Sequence, residues 1–218
     1  KGTPDKKGST ENKIRKVACG SMKKYRLVLA SASPRRTGLL DMLGVSFEVR
    51  PASVDESLPE NILPETAVEM LARKKAAATP ADADEIIIAA DTMVSADGIL
   101  LGKPADKADA VRMLGMLSGR VHDVFTGIAL ACGKEIYSKA VRTSVEFRKL
   151  SDEEIENYIE NVNVLDKAGA YGIQGRAAVF VRKIDGDYYN VVGLPLCTLS
   201  EMMSERFGMP LCSFAEDR

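Results

Sequence analysis

Apolar and polar residues alternate along the chain in blocks that predict strands and helices in turn. The apolar run at 27–29 is typical of a short buried strand, and it ends in small residues at Ser31. Ser33 and Pro34 then fit the N-cap and first turn of a helix, whose leucines recur at helical spacing until Gly44. The pattern therefore begins with a strand, a tight turn and a helix.

Similar patterns predict the elements that follow. Single strands are expected near 47–50, over 124–132 and over 135–147. A first hairpin is expected from strands over 85–94 and 99–102, with its turn at Asp97-Gly98. A second hairpin is expected from strands over 176–184 and 187–192, with its turn around Asp185-Gly186. The helices are expected over about 66–78, over 105–117 from a start at Pro104, from a Ser151 and Glu154 capping box to about 162, and over 196–207. Strands that alternate with helices in this way indicate an α/β domain.

The first 21 residues differ from the remainder of the sequence. They are polar, rich in lysine and without clear periodicity, so we interpret 1–21 as a tag or a disordered extension. Residues 22–218 are predicted to form a single domain.

Composition and charge argue against several classes of function. The 218 residues carry 30 basic and 31 acidic side chains, so a formal net charge of -1 provides no global field toward nucleic acid or a membrane. No apolar segment is long enough to cross a bilayer. The four cysteines lack close pairs, which argues against a disulfide framework or a cysteine-bound zinc and favours a reducing compartment, the cytoplasm. His122 is the single histidine and cannot supply a multi-histidine metal site.

Several cations are candidates for a binding site. Arg35 and Arg36 fall in the first turn of the first helix, where the partial positive charge of the helix N-terminus disfavours cations. They are either a solvated surface pair or part of an anion site that combines helix N–H groups with two guanidinium groups. Lys75 extends an apolar helical stripe, so it either reaches water or enters a cleft. Lys103 lies beside a second predicted helix N-terminus.

Carboxylates and one amide form the second set of candidates. Asp91 follows the apolar run at 86–90, either as a strand-end residue that binds backbone N–H groups or as a general base or metal ligand. Asp55 and Glu56 lie in a proline-rich loop that is either solvated or completes a Mg²⁺ or Mn²⁺ site with Asp91. The amide of Gln174 suits a base edge or a turn. Together with the cations, these groups suggest hydrolysis of a phosphate ester or anhydride.

A series of ordered motifs resembles the Maf family of nucleoside triphosphate pyrophosphatases, once described as septum-formation inhibitors. The similarity runs from about Leu27 to Leu199. The motifs are LASASPRR at 29–36, VDE at 54–56, LARKKA at 71–76, AADT at 89–92, LGKP at 101–104, LSGRVHDVFTG at 117–127, DKAGAYGIQG at 166–175 and DGDYYNVVGLP at 185–195. The resemblance implies an α/β fold with a mixed twisted sheet flanked by helices, and two lobes around a central cleft.

The same resemblance implies an activity and assigns roles by motif. The expected reaction is hydrolysis of a nucleoside triphosphate to the monophosphate and pyrophosphate with Mg²⁺ or Mn²⁺. Asp91 would accept a proton from the water that attacks the α-phosphorus, and Asp55 or Glu56 would help Asp91 to hold the metal. The triphosphate would be held by Arg36, Lys75 and Lys103, with Ser31 near it. Base selection is associated with positions similar to Arg35, Thr92 and Gln174.

The expected substrates follow from one of these motifs. The form YGIQG at 171–175 is similar to the family branch that acts on dTTP and UTP, and the expectation extends to modified pyrimidine nucleotides. The alternatives are a 7-methyl-GTP pyrophosphatase and a non-catalytic binding module that regulates cell division. Asp55 departs from relatives that carry the longer Glu at this position. The resemblance is compatible with a homodimer.

Overall fold

The computed structural model describes residues 25–215, so the interpretation of 1–21 lies outside the described residues. The strands are β1 (Arg26–Leu29), β2 (Phe47–Val49), β3 (Glu85–Ala96), β4 (Ile99–Leu101), β5 (Val121–Cys132), β6 (Glu135–Phe147) and β7 (Val181–Asp185). The helices are α1 (Pro34–Met42), α2 (Pro64–Ala78), α3 (Lys107–Leu117), α4 (Asp152–Asn161), α5 (Tyr188–Val192) and α6 (Leu196–Phe207). Three short 3₁₀ turns join them at Ala168–Ala170, Arg176–Phe180 and Leu211–Phe214.

All seven of these strands belong to one mixed sheet. Its order is β2-β1-β3-β5-β6-β7, and β4 pairs with the end of β3. β2, β1 and β3 run parallel, whereas β5, β6 and β7 continue the sheet in antiparallel pairs. The mixed sheet flanked by helices confirms the expected fold class.

The central strand β3 is buried on both faces of the sheet. Ile86 and Ile88 join the large core cluster on one face, while Ile87 and Ala89 pack with Ala72 of α2 on the other. Successive side chains of a strand point to opposite faces, so each face needs its own apolar cover. This burial explains the unbroken apolar run in the sequence.

Gly127 in β5 allows α2 to lie unusually close to the sheet. A Cβ atom at this position would stand 2.3 Å from the backbone carbon and oxygen of Val68. Gly127 is also the direct cross-strand partner of Asp91. Helix α2 therefore packs directly over Asp91, and this places Lys75, two turns farther along the same helix, within reach of the carboxylate.

Replacement of Gly127 should be costly because the clash involves backbone atoms that cannot rotate away. We expect Gly127→Ala to lower the free energy of unfolding by about 2–3 kcal/mol, in the range of overpacked cores. Urea unfolding measures this change. Gly115 is the matched control, since it lies inside α3 and a methyl group added there would have no heavy atom within 4 Å. Gly115→Ala should leave stability unchanged or raise it, and equal unfolding midpoints for both variants would contradict this account of α2 packing.

The second predicted hairpin is wrong. Residues 188–192 form α5 instead of a strand, and most of the segment at 176–184 is a 3₁₀ turn followed by the short β7. Asp187 caps α5 by accepting a hydrogen bond from Tyr189 N, and the buried side chain of Asn190 binds the carbonyl of Val124 in β5. These contacts outweigh the strand preference of tyrosine and valine, which depends on context.

Two helix starts also differ from the prediction. α2 begins at Pro64 rather than near residue 66, because proline fits the first helical position. α3 begins at Lys107 rather than at Pro104, because Asp106 is the N-cap and accepts from Asp109 N. Other local predictions are confirmed, namely the Ser151 and Glu154 capping box and the turn at Asp97-Gly98, where both φ angles are positive.

His122 is a core residue whose side chain is 2% exposed. Its Nε2 lies 2.9 Å from the hydroxyl of Tyr171, and its ring packs edge-on against Phe147. Burial lowers the pKa of His122 to about 4, because a charged imidazole loses its hydration in the core. The folded protein therefore favours the neutral ring.

This shift predicts a loss of stability in mild acid. The unfolded chain binds a proton at His122 near its ordinary pKa of 6.5, whereas the folded chain binds it only near pH 4. The free energy of unfolding should be about 2 kcal/mol lower at pH 5 than above pH 6.5. Most carboxylates titrate only at lower pH, so they do not account for this difference. Urea unfolding at pH 7 and pH 5 measures the difference. His122→Phe should lack this change, and an undiminished pH dependence in that variant would contradict the assignment.

Candidate active site

A cavity of about 390 Å³ opens where the chain leaves β1 and β2, against the middle of β3. Nine of the ten residues singled out from the sequence line it, although they come from distant segments. They are Ser31, Arg35, Arg36, Glu56, Lys75, Asp91, Thr92, Lys103 and Gln174.

The predicted site residue that the structure does not bring into this cavity is Asp55. Its carboxylate accepts hydrogen bonds from Ser57 N at 2.9 Å and from Ser57 Oγ at 2.6 Å. These bonds, first the side-chain and then the backbone one, lower the pKa of Asp55. Glu56, the next residue, is the member of the acidic pair that faces the cavity.

The N-terminus of α1 borders the cavity. Ser33 occupies the predicted N-cap position, but its side chain makes no capping hydrogen bond. Ser31 Oγ instead accepts a bond from Ser33 N at 3.2 Å and another from Arg36 Nη1 at 3.1 Å. First-turn N–H groups without a capping side chain provide donors for an anion. The hydroxyl hydrogen of Ser31 is also left to donate, since both of these bonds use its oxygen.

Arg36 is held by three uncharged oxygen atoms. Its Nε donates to the carbonyl of Gly193 at 2.7 Å, Nη1 to Ser31 Oγ at 3.1 Å and Nη2 to Thr92 Oγ1 at 3.0 Å. Desolvation lowers the pKa of this guanidinium, although nearby carboxylates partly compensate. Each terminal nitrogen still has one N–H to offer. A partly buried cation fixed by neutral groups favours an anion beside it.

Lys75 joins the two carboxylates of the cavity. Its Nζ lies 2.5 Å from Asp91 Oδ1 and 2.8 Å from Glu56 Oε1. The hydrogen bond from Lys75 lowers the pKa of Glu56. Of the two interpretations of Lys75, the structure therefore shows the one in which the side chain enters a cleft. Asp91 lies in the middle of β3 rather than at its end, and its partner is a side chain rather than the backbone.

Three further predicted residues of the cavity lining are wholly or partly exposed to solvent. Arg35 binds Asp166 twice, through Nη1 to Oδ2 at 3.0 Å and through Nη2 to the backbone carbonyl at 3.2 Å. Lys167 Nζ also lies 2.6 Å from Asp166 Oδ1. Lys103 and Gln174 are exposed and make no hydrogen bond or ion pair with residues 25–215. These two side chains are available to a ligand.

Three functional groups of the cavity were missed in the sequence. Asp166 and Lys167 begin the motif at 166–175, but neither interrupts an apolar pattern in the way that Lys75 does. The carbonyl of Gly193 cannot be identified from residue type, although its φ of 122° explains why this position is glycine. Gly193 ends α5 and directs its carbonyl to Arg36.

Positive charge exceeds negative charge around the cavity. Among the described residues five cations and three carboxylates line it. The cations are Arg35, Arg36, Lys75, Lys103 and Lys167, and the carboxylates are Glu56, Asp91 and Asp166. In a chain with a formal net charge of -1, this local excess provides a site for a polyanion, next to a carboxylate that can accept a proton.

Outside the cavity, two further observations bear on the class of protein. No helix within residues 25–215 is long and apolar enough to cross a membrane. The described cysteines, Cys132, Cys197 and Cys212, are free.

Comparison with known proteins agrees with this geometry. The model of the family described as Maf-like protein matches residues 26–206. A dTTP/UTP pyrophosphatase of Moorella thermoacetica is 49% identical over 183 residues, which cover 82% of this chain and 94% of the relative. The dTTP/UTP pyrophosphatase of Alkaliphilus metalliredigens is 51% identical over 190 residues, or 85% and 98% of the two chains. The dTTP/UTP pyrophosphatase of Bacillus velezensis is 45% identical over 181 residues, which cover 83% of this chain and 96% of the relative.

Proposed function

Because the chain belongs to the Maf family, we propose that it hydrolyses dTTP and UTP to the monophosphate and pyrophosphate. Relatives that are 44–51% identical over most of the chain carry the name dTTP/UTP pyrophosphatase. The proposal extends to pyrimidine nucleotides with modified bases. The observation that carries it is the juxtaposition of Asp91 with Arg36, Lys75 and Lys103 in one cavity.

The proposed chemical step is attack of water on the α-phosphorus. Asp91 accepts one proton of that water as its oxygen forms the new bond to phosphorus, and pyrophosphate leaves with the electron pair of the broken P–O bond. Lys75 contacts Oδ1 of Asp91, which leaves Oδ2 to accept the proton. The ammonium of Lys75 also holds the carboxylate in one orientation.

The cations hold the triphosphate and stabilise the charge that develops on the leaving group. Arg36 offers its remaining N–H groups, Ser31 its hydroxyl hydrogen, and the first turn of α1 its backbone N–H groups. Lys103, an exposed residue of the cavity lining, adds an ammonium group. Fixed donors of this kind favour the transition state most strongly where solvent is excluded.

The donor set also fits a divalent metal. No cluster of three or more histidine, cysteine or acidic side chains suited to a metal is found among residues 25–215. Glu56 and Asp91 nevertheless share Lys75 Nζ, so one oxygen atom of each lies close to the other. Mg²⁺ in phosphoryl-transfer sites is typically bound by one or two carboxylates together with substrate phosphates. We propose Glu56 and Asp91, without Asp55, as these ligands; when bound, Mg²⁺ or Mn²⁺ would neutralise phosphate charge.

We assign selection of the base to the groups at the mouth of the cavity. Gln174 is exposed there, and its amide provides a donor and an acceptor for the edge of a pyrimidine. Arg35, which also lines the cavity, and Thr92, which accepts from Arg36, complete the proposed set. Three further points stay predictions, namely action in the cytoplasm, a homodimer and a single domain over 22–218. The free thiols support the first of them.

A screen for pyrophosphate release tests the proposed function. The purified chain is incubated with Mg²⁺ or Mn²⁺ and with each common nucleoside triphosphate, 7-methyl-GTP included, and pyrophosphate is measured colorimetrically. We expect release chiefly from dTTP and UTP. Turnover of 7-methyl-GTP alone would retain the chemistry but overturn the base assignment. Release from none of the nucleotides would overturn the proposed function and favour the binding module.

A further inference from the structure

A row of hydrogen bonds runs from the cavity into the core. Arg36 Nη2 lies 3.0 Å from Thr92 Oγ1, which in turn lies 3.0 Å from Thr126 Oγ1. Thr126 Oγ1 lies 2.9 Å from the backbone carbonyl of Asn190. Thr92 and Thr126 are direct cross-strand partners in β3 and β5. Thr126 and Asn190 are fully buried, so neither of them reaches a ligand in the cavity.

The direction of each bond in this row follows from its last acceptor. A carbonyl oxygen only accepts, so the single hydroxyl hydrogen of Thr126 is donated to Asn190. The oxygen of Thr126 must then accept the hydrogen of Thr92. The oxygen of Thr92 is left to accept from Arg36. Thr92 therefore has no hydrogen to donate to a nucleotide and can only accept from it.

The far end of the row is anchored by Asn190. Its Nδ2 donates to the carbonyl of Val124 at 3.0 Å and to Thr143 Oγ1 at 2.9 Å, which ties α5 to β5 and β6. The same short helix ends at Gly193, whose carbonyl accepts from Arg36 Nε. Helix α5 therefore positions two of the three acceptors that orient Arg36. The Gly193 carbonyl lies at the end of the helix, and the Thr92 hydroxyl is linked to it through Thr126.

We propose that Thr126 is a positioning residue for nucleotide binding, because it fixes the Thr92 hydroxyl as an acceptor and thereby orients the Arg36 guanidinium toward the phosphates. This inference rests on the proposed function, since it concerns the same cavity. Without the Thr126 hydroxyl, Thr92 is free to rotate and to turn its hydrogen toward Arg36, where two donors would oppose each other. The arginine then loses one of its three fixed contacts.

The test is Thr126→Val, which removes the hydroxyl and keeps the β-branched shape suited to a strand. We expect KM for dTTP to rise about tenfold and kcat to stay within about threefold, because the lost contact aids binding of ground state and transition state alike. A purely structural role would lower the active fraction, and hence kcat, at unchanged KM. Thr126→Ser retains the hydroxyl and should restore KM. An unchanged KM in Thr126→Val would overturn the proposal.

A double-mutant cycle shows whether Thr126 acts through Thr92. Thr92→Val alone should raise KM, and adding Thr126→Val to it should raise KM no further. Effects of the two substitutions that multiply would overturn the proposed route. Thr126→Ala replaces the valine variant throughout if the latter does not fold.

The two proposals fail in different ways. If the unaltered chain releases no pyrophosphate from dTTP or UTP, the proposed function is wrong and the positioning role falls with it. If the unaltered chain is active and Thr126→Val has the same KM, only the positioning role is wrong.

Discussion

Asp91→Asn is expected to lower kcat for dTTP hydrolysis about 1,000-fold, within the range that general base catalysis contributes. Asparagine keeps an oxygen for the Lys75 ammonium, which lies 2.5 Å from Asp91 Oδ1, so the cavity should retain its shape. The amide has almost no basicity, however, and cannot take a proton from water. KM should change by less than about fivefold, because Arg36, Lys103 and the first turn of α1 hold the phosphates and Glu56 still provides a carboxylate for the metal.

Steady-state pyrophosphate release by Asp91→Asn and by a control variant measures this effect. Asp185→Asn is the control, since that carboxylate lies at the end of β7, is 74% exposed and, among residues 25–215, pairs only with Lys183. It should keep full activity. Retention of more than about a tenth of the original kcat by Asp91→Asn, shown by urea unfolding to be folded, would contradict the role of Asp91 as general base.

The second large effect is expected from Arg36→Lys, which should lower kcat/KM about 100-fold through both a higher KM and a lower kcat, because the guanidinium binds the triphosphate and stabilises charge on the leaving group. The guanidinium donates to three acceptors in fixed directions, namely Gly193 O, Ser31 Oγ and Thr92 Oγ1. A lysine ammonium at the end of a flexible chain cannot reach all three and still offer N–H groups to phosphate. A positive charge alone is therefore insufficient to bind the triphosphate at this position.

Arg73→Lys is the matched control for this substitution. Arg73 is an exposed residue of α2 outside the cavity lining, and its Nη1 donates to the carbonyl of Ile136 and to Ser138 Oγ in β6. Its replacement should leave kcat/KM within about twofold. If Arg36→Lys were as active as Arg73→Lys, the guanidinium geometry would not be what binds the triphosphate.

The main site residues could be predicted because each conflicts with its local pattern. Asp91 stands in an apolar strand, Lys75 on an apolar helical stripe, and Arg36 at the unfavourable end of a helix. Such conflicts have a free-energy cost that only a tertiary partner or a ligand offsets. The alternation of strands and helices likewise follows from local periodicity, so the sheet and its flanking helices were predictable.

What the sequence does not contain is the pairing of groups across the fold. Asp55 and Glu56 are adjacent acids, and only the path of the loop decides that Glu56 reaches Lys75 while Asp55 binds Ser57. The segment around Asn190 has strand-like composition, yet bonds to β5 and β6 make it a helix. Backbone groups such as the Gly193 carbonyl have no residue type to reveal them.

Hydrolysis of UTP in ¹⁸O-labelled water, followed by mass spectrometry of the products, tests the central claim most directly. Attack on the α-phosphorus by water activated at Asp91 predicts one labelled oxygen in UMP and none in pyrophosphate. Label in the pyrophosphate would show attack on the β-phosphorus, and release of UDP with labelled phosphate would show attack on the γ-phosphorus. Either result would contradict the arrangement of Asp91 and the triphosphate proposed for this cavity.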